Sequence, residues 1–263
     1  SSRPYTSLAM NQEVFIMRLE GKIAIITGAG KGIGREAALA IAAEGAVVVA
    51  VARTLSDLDE TVTMIKDKGG FAISLSHDLT VGAEVQAMVD EVMEKYGKID
   101  ILVNNAGGYP SEIYKNIEHQ AIKLWEWSEE QWEQIIKTNL RIPFLCMNKV
   151  LPVMIQQKGG KVVSVSSRMG RIASQMGAYA VAKGAIITMT KTAAIQTQEY
   201  GIQVNAVSPG IVDTPGQRVY NHSVGQDDIK MGSAADVAKA IVYLLCDAPA
   251  VMTGQSIDLF TTV

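Results

Sequence analysis

The stretch Thr27-Gly28-Ala29-Gly30-Lys31-Gly32-Ile33-Gly34 decides the fold. It follows Ile23 to Thr27, a short apolar and β-branched run that reads as a strand. It opens Gly32 to Glu44, an alanine-rich stretch that reads as a helix. Glycines in that place let the backbone turn tightly and approach a pyrophosphate, while the helix offers free N–H groups and the positive end of its dipole. The spacing is not G-x-G-x-x-G, because Ile33 and Arg35 stand where a third glycine would fall. Nor is it a P-loop, since Lys31 is followed by Gly32 and not by Ser or Thr.

Strand and helix patterns alternate outward from this loop. Val47 to Ala52 is apolar throughout, as a strand buried on both faces of a parallel sheet must be. Ser56 to Lys68 reads as a helix, Phe71 to Ser76 as a strand, Val81 to Tyr96 as a helix and Ile101 to Val103 as a strand. Lys161 to Val165 and Ile202 to Val207 are further strands, each after a long helical segment. The alternation predicts an α/β fold, a Rossmann-type doubly wound parallel sheet in a single domain over residues 18–263. Residues 1–17 read as an N-terminal extension or an expression remnant, because Met17-Arg18-Leu19-Glu20-Gly21-Lys22 resembles a second beginning.

The 263 residues are 48% hydrophobic and 19% charged, with a net charge of −3 and no basic block, so no nucleic-acid partner is expected. No apolar run approaches the ~18 residues of a membrane span, and no membrane partner is expected. Cys146 and Cys246 match no metal or redox spacing, and His77, His119 and His222 are scattered, so no metal site is expected. A reducing, cytoplasmic location is the expectation.

Tyr179 and Lys183 lie four residues apart in Tyr179-Ala180-Val181-Ala182-Lys183, a spacing that stacks both on one helical face. An ammonium beside a phenol favours the phenolate and lowers its pKa. The phenol then becomes a proton donor and acceptor usable near neutral pH.

Taken together, Thr27-Gly28-x-x-x-Gly32-x-Gly34 and the motifs after it resemble the short-chain dehydrogenase/reductase family over roughly residues 18 to 258. Asn104-Asn105-Ala106-Gly107 ends the fourth strand, Asn139 lies in the long helix beyond it, and Ser166-Ser167 precede Tyr179 and Lys183. Pro209-Gly210 follows the sixth strand, with Thr214 behind it. The resemblance implies hydride transfer that interconverts a ketone and a secondary alcohol. Tyr179 is then general acid/base, and Lys183 holds the nicotinamide ribose. A serine polarises the substrate oxygen, and Asn139 orders a water relay. It implies cofactor contacts from Gly28, Gly30, Lys31 and Ile33, from Asn105, Ala106 and Gly107, and from Tyr179 and Lys183. Pro209, Gly210, Val212 and Thr214 would complete the nicotinamide side, and Asp78 and Leu79 match the family's adenine contacts. Small-molecule substrates and a homo-oligomer, tetramer or dimer, are implied with it.

At the end of the second strand an acidic residue would accept from the ribose 2′-hydroxyl and repel a 2′-phosphate. Here Ala52 is followed by Arg53 and Thr54, and Lys31 offers a second charge. The combination resembles the family's NADP-preferring carbonyl and xylulose reductases and makes NADP(H) the expected cofactor. The serine is read two ways. Counting from Gly160 or back from Gly170 gives Ser167, and counting back from Tyr179 at the family's commonest spacing gives Ser166. Ser167 is preferred. Two rival functions remain: an NAD-dependent alcohol dehydrogenase of the same family, and a non-catalytic nucleotide-binding scaffold or subunit.

Three segments depart from the family pattern. Gly108 to Trp127 is longer than usual and carries Tyr109, Tyr114, Trp125 and Trp127; it reads either as a surface addition or as a wall of the substrate pocket. Pro215 to Gly232, the usual lid, is short and polar. The tail diverges at Phe260, which makes the tetramer less certain. Met169, Ile172 and Met176 hint at an apolar pocket beside the serine and tyrosine, and core packing explains them equally.

Overall fold

The computed structural model describes residues 17–108, 122–172, 174 and 176–259. β1 (Ile23–Thr27), α1 (Gly32–Ala43), β2 (Val47–Ala52), α2 (Leu55–Asp67), β3 (Phe71–Ser76), α3 (Gly82–Tyr96) and β4 (Ile101–Asn104) form the first half. α4 (Glu129–Ile136), α5 (Ile142–Gln157), β5 (Gly160–Val165), α6 (Gly177–Thr197) and β6 (Ile202–Pro209) come next. β7 (Val212–Asp213), α7 (Pro215–Ser223), β8 (Gly232–Ser233), α8 (Ala234–Cys246) and β9 (Ser256–Leu259) close the chain. Each strand read from the sequence lies within two residues of its expected bounds.

Among the described residues, seven parallel strands form one sheet in the order β3-β2-β1-β4-β5-β6-β9. Every residue of β1 is buried, and alternation sends successive side chains to opposite faces. Ala24 and Ile26 join α1 and α8 on one side through Ala38, Ile41, Val237 and Ile241. Ile23 and Ile25 join α3 and α5 on the other through Met88, Val92, Cys146 and Met154. Burial on both faces explains why β1 and β2 read as unbroken apolar runs. The strand order reverses between β1 and β4, which opens a crevice at their carboxyl ends.

The long helix expected around Asn139 is interrupted. Lys137–Arg141 forms a π-helical turn between α4 and α5. Pro143, in the first turn of α5, has no N–H to give the carbonyl four residues back, which belongs to Asn139. Among the described residues no helix is long and apolar enough to cross a membrane, and no group of His, Cys, Asp or Glu could hold a metal. Met17, the last residue of the expected extension, lies against Gly45; the rest of that segment, with Tyr109, Tyr114 and Phe260, falls outside the described residues.

Candidate active site

The glycine loop is built for close approach. A Cβ on Gly34 would collide with the Gly28 carbonyl oxygen and with Asn105 Nδ2. Asn105 holds the loop from the other side, its Nδ2 donating 3.0 Å to the Thr27 carbonyl and 3.2 Å to that of Gly28. The buried Thr27 hydroxyl donates 3.2 Å to Val103 O and accepts from the backbone N–H groups of Asn105 and Ala106, both at 3.0 Å. The motif's threonine therefore ties β1 to β4 at the point where the strand order reverses. A cavity of about 350 Å³ opens above this loop, floored by Gly28, Lys31, Gly32 and Ile33. A cradle of close-packed glycines at the start of α1 fits a dinucleotide pyrophosphate.

The same cavity reaches Ser167, Tyr179 and Lys183, and it is closed by Pro209, Gly210, Val212 and Thr214. Strand alternation separates the two serines. The Ser166 hydroxyl donates 2.7 Å to the Lys183 carbonyl within the buried interior. Ser167 instead shares a hydrogen bond with the Tyr179 phenol and accepts from Met169 N at 3.2 Å. The segment after Ser167 is seated on α6 without side chains between them: a Cβ on Gly170 would fall 2.5 Å from Gly184 N. This backbone contact sets Ser167 against Tyr179. Sequence reading used Gly170 only as a marker for counting back to Ser167; its close seat on α6 is a structural finding.

The electrostatics of the pair differ from the expectation. Burial pushes the Tyr179 phenol above its ordinary value, with the Ser167 hydrogen bond pulling it partly back. Burial also lowers Lys183 from 10.5 to about 8. Its Nζ donates 3.0 Å to the Val165 carbonyl and lies 5.6 Å from the Tyr179 ring centroid. Desolvation, which penalises charge on either group, outweighs the lysine's pull on the phenol.

Asn139 is fully buried in the π turn. Its Nδ2 donates to Ile135 O at 3.1 Å and Gly108 O at 2.9 Å, and its Oδ1 accepts from Gly108 N at 2.8 Å. In this arrangement it grips the strand that leaves β4 through Gly107 and Gly108.

A second cavity of about 470 Å³ continues the groove past Ala52, Arg53, Thr54, Asp78 and Leu79. Against the upward push of burial, hydrogen bonds from Thr80 N and Oγ1 hold the Asp78 carboxyl below its ordinary value. Arg53 is exposed and has no ion pair among the described residues. Lys31, expected as a second free cation, is paired with Asp57 Oδ2 at 2.9 Å. The first turn of α2 brings Asp57 under the glycine loop, where a Cβ on Gly30 would lie 2.8 Å from the Asp57 Cβ.

The described end of the long insertion does not line the site cavity. Ile122, Leu124 and Trp125 enclose a separate apolar cavity of about 620 Å³ with Met169, Ile172, Gly177, Ala180 and Val181. At 100° per residue, Gly177, Ala180 and Val181 share a face of α6 turned away from Tyr179 and Lys183. The apolar pocket hinted at around Met169 and Ile172 therefore lies behind the helix face that carries Tyr179 and Lys183, not in front of it. On the site side, the lid helix α7 is capped by Thr214 Oγ1, which accepts from Gln217 N at 3.1 Å, and Pro215, Gly216 and Gln217 line the cavity.

A doubly wound sheet with a glycine cradle at its switch point, opening onto a Ser–Tyr–Lys cluster, defines a dinucleotide-binding oxidoreductase. The short chain dehydrogenase family profile matches residues 22–224, and the chain belongs to that family. It is 36% identical over 251 residues to the 3-oxoacyl-[acyl-carrier-protein] reductase of Thermotoga maritima, covering 92% of this chain and 98% of that protein. Among solved structures, a 3-oxoacyl-[acyl-carrier protein] reductase from Brucella melitensis with bound NAD superposes with a TM-score of 0.80 at 28% identity, covering 98% of this chain and 97% of that one. A short-chain type dehydrogenase/reductase from Mycobacterium marinum gives 0.80 at 31% identity, covering 93% and 96%.

Proposed function

We propose that this protein is an NADP(H)-dependent oxidoreductase that reduces a ketone to a secondary alcohol. The observation that carries the reading is the hydrogen bond between Ser167 and Tyr179, with the Lys183 amine beside the phenol ring and the glycine cradle in the same cavity. The reductase names of its relatives support it. The reduced nicotinamide, when bound, supplies the hydride that the carbonyl carbon takes up. The residues of the chain supply the proton and the field. Tyr179, kept protonated by burial, donates its phenolic proton to the developing alkoxide. Ser167 hydrogen-bonds the same oxygen, so stabilisation is aimed at charge that appears only in the transition state. Lys183, wedged under the Val165 carbonyl, holds positive charge next to the phenolate that this transfer leaves. Asn139 fixes the backbone at Gly108, and its part in a water relay is inferred from the family resemblance.

NADP(H) is preferred because Arg53 is the unpaired cation at the end of β2, where its planar fork matches a 2′-phosphate. Two free cysteines support a reducing, cytoplasmic setting. Exposed Phe144 on α5, with Val181 and Ile195 on α6, supports a homo-oligomer built through these helices. The test is Tyr179→Phe with a ketone and NADPH. Turnover should drop by about 10²–10⁴-fold while equilibrium binding of NADPH is kept. Turnover at the parent rate would remove the mechanism.

A further inference from the structure

Trp127 lies at the end of the insertion, and its indole is stacked directly on the first residue of the catalytic helix. Gly177 opens α6 with φ +45°, and a Cβ there would sit 2.5 Å from Trp127 Nε1 and 2.7 Å from Cε2. Only glycine suits both the left-handed backbone and the contact. The ring cannot swing freely, because its Nε1 donates 3.2 Å to the Ile122 carbonyl. Trp127 and Trp132 also pack with Tyr179 around Ile135 and Ala178, neither of which is exposed at all.

Met176, the N-cap of α6, provides no side-chain cap, and its own N–H is held by Ser174 Oγ at 3.1 Å. Tyr179 comes two residues after Gly177, and its own N–H bonds back to Met176 O at 3.1 Å. Farther along, Gly170 presses on the backbone at Lys183 and Gly184. The helix is thus clamped at two glycines, one on each side of Tyr179, and Trp127 is the jaw that the insertion contributes.

We propose that Trp127 is a positioning residue that sets the Tyr179 phenol against Ser167, so that the insertion braces the reacting groups from behind. This rests on the reading of Tyr179 as the proton donor. A shift of the helix start by about 1 Å is enough to cost ~10²-fold in rate, because proton transfer requires hydrogen-bond reach. Trp127 lines neither the site cavity nor the groove past Arg53, so cofactor affinity is expected to change little with it.

The experiment compares Trp127→Ala and Trp127→Phe with the parent and with Tyr179→Phe. Trp127→Ala should lower kcat by about 10²-fold with the NADPH dissociation constant kept within twofold, and Trp127→Phe should recover most of the loss. A second readout needs no cofactor. Ultraviolet titration of tyrosine, with the Tyr179→Phe curve subtracted, should show the Tyr179 phenol displaced from its parent titration in Trp127→Ala, because its burial and its Ser167 hydrogen bond both depend on where the ring sits. If Trp127→Ala fails to fold, the Phe variant is read instead: an intermediate kcat with unchanged NADPH affinity supports the proposal. Parent kcat in the folded Ala variant, or equal losses in kcat and cofactor affinity, overturns it. Should Tyr179→Phe itself keep turnover, the functional reading falls and takes this proposal with it. Loss in Tyr179→Phe together with parent kcat in Trp127→Ala sinks the positioning role alone.

Discussion

Lys183 reaches under the Tyr179 ring and donates to the Val165 carbonyl, so its amine is enclosed by the chain while standing 5.6 Å from the ring centroid. Burial of this kind acts on both groups in opposite senses: the phenol becomes harder to ionise and the amine easier to neutralise.

The pH dependence of ketone reduction follows from that asymmetry. The form of Lys183 that assists is the ammonium, and with its pKa lowered to about 8 this form is present below pH 8 and lost as pH rises through it. The phenol, raised above its ordinary 10, stays protonated across the same range. The rate at saturating NADPH should therefore be level near pH 7 and fall on the alkaline side by up to about tenfold per unit. In Lys183→Arg, which keeps its charge, that limb should vanish from whatever activity remains. A wild-type profile flat to pH 10 would contradict the assignment.

The two adjacent serines should separate cleanly. Ser167→Ala removes the hydroxyl that meets Tyr179 and should reduce kcat by about 10²–10³-fold, leaving the unfolding midpoint near that of the parent. Ser166→Ala removes the buried donor to the Lys183 carbonyl and should cost stability, about 1 kcal/mol, with much of the activity kept. Parallel denaturant titrations and rate measurements decide between them; the reverse pattern would move the role to Ser166.

The sheet and the glycine loop were readable because each obeys a local rule. Runs such as Val47 to Ala52 are apolar on both faces, and Gly28 to Gly34 must be small wherever a backbone comes close. Asn139, Tyr179 and Lys183 were singled out through motif order; the cavity gathers Tyr179 and Lys183 with Ser167, and Asn139 is not among its lining residues. What escaped depends on contacts between distant segments. The seating of Gly170 on Gly184 rests on where α6 passes the segment after Ser167, the π turn on a proline four residues past Asn139, and the pairing of Lys31 on where α2 places Asp57. None of these has a periodic or compositional signature. The insertion, which leaves the sheet at its carboxyl end, was read either as a surface addition or as a pocket wall, and its described end lies on the far face of α6.

Oligomer formation can be tested on the outer helices. Phe144 is 50% exposed and Ile195 is 78% exposed, and both are large apolar groups that a second copy could cover. Phe144→Asp combined with Ile195→Asp should lower the solution mass toward that of one chain by light scattering, with the circular dichroism of the fold retained. An unchanged mass would place any interface elsewhere.

Cofactor choice turns on two cations held differently. Arg53 has no ion pair among the described residues, whereas the Lys31 ammonium is 2.9 Å from Asp57 Oδ2 with its side chain 55% exposed. A hydrogen bond from a charged donor contributes about 1.5–3 kcal/mol, so Arg53→Ala should weaken NADPH binding by about ten- to a hundredfold and leave NADH binding nearly as it was. Asp57→Asn should act the other way. It removes the carboxylate that competes for Lys31, and because exposed pairs contribute no more than about 1 kcal/mol, NADPH should tighten by a few-fold at most. Fluorescence titration of both cofactors against the parent and the two variants measures each effect. Equal losses for NADPH and NADH in Arg53→Ala would show that the guanidinium supports the loop rather than a 2′-phosphate, and the cofactor assignment would then pass to NAD(H).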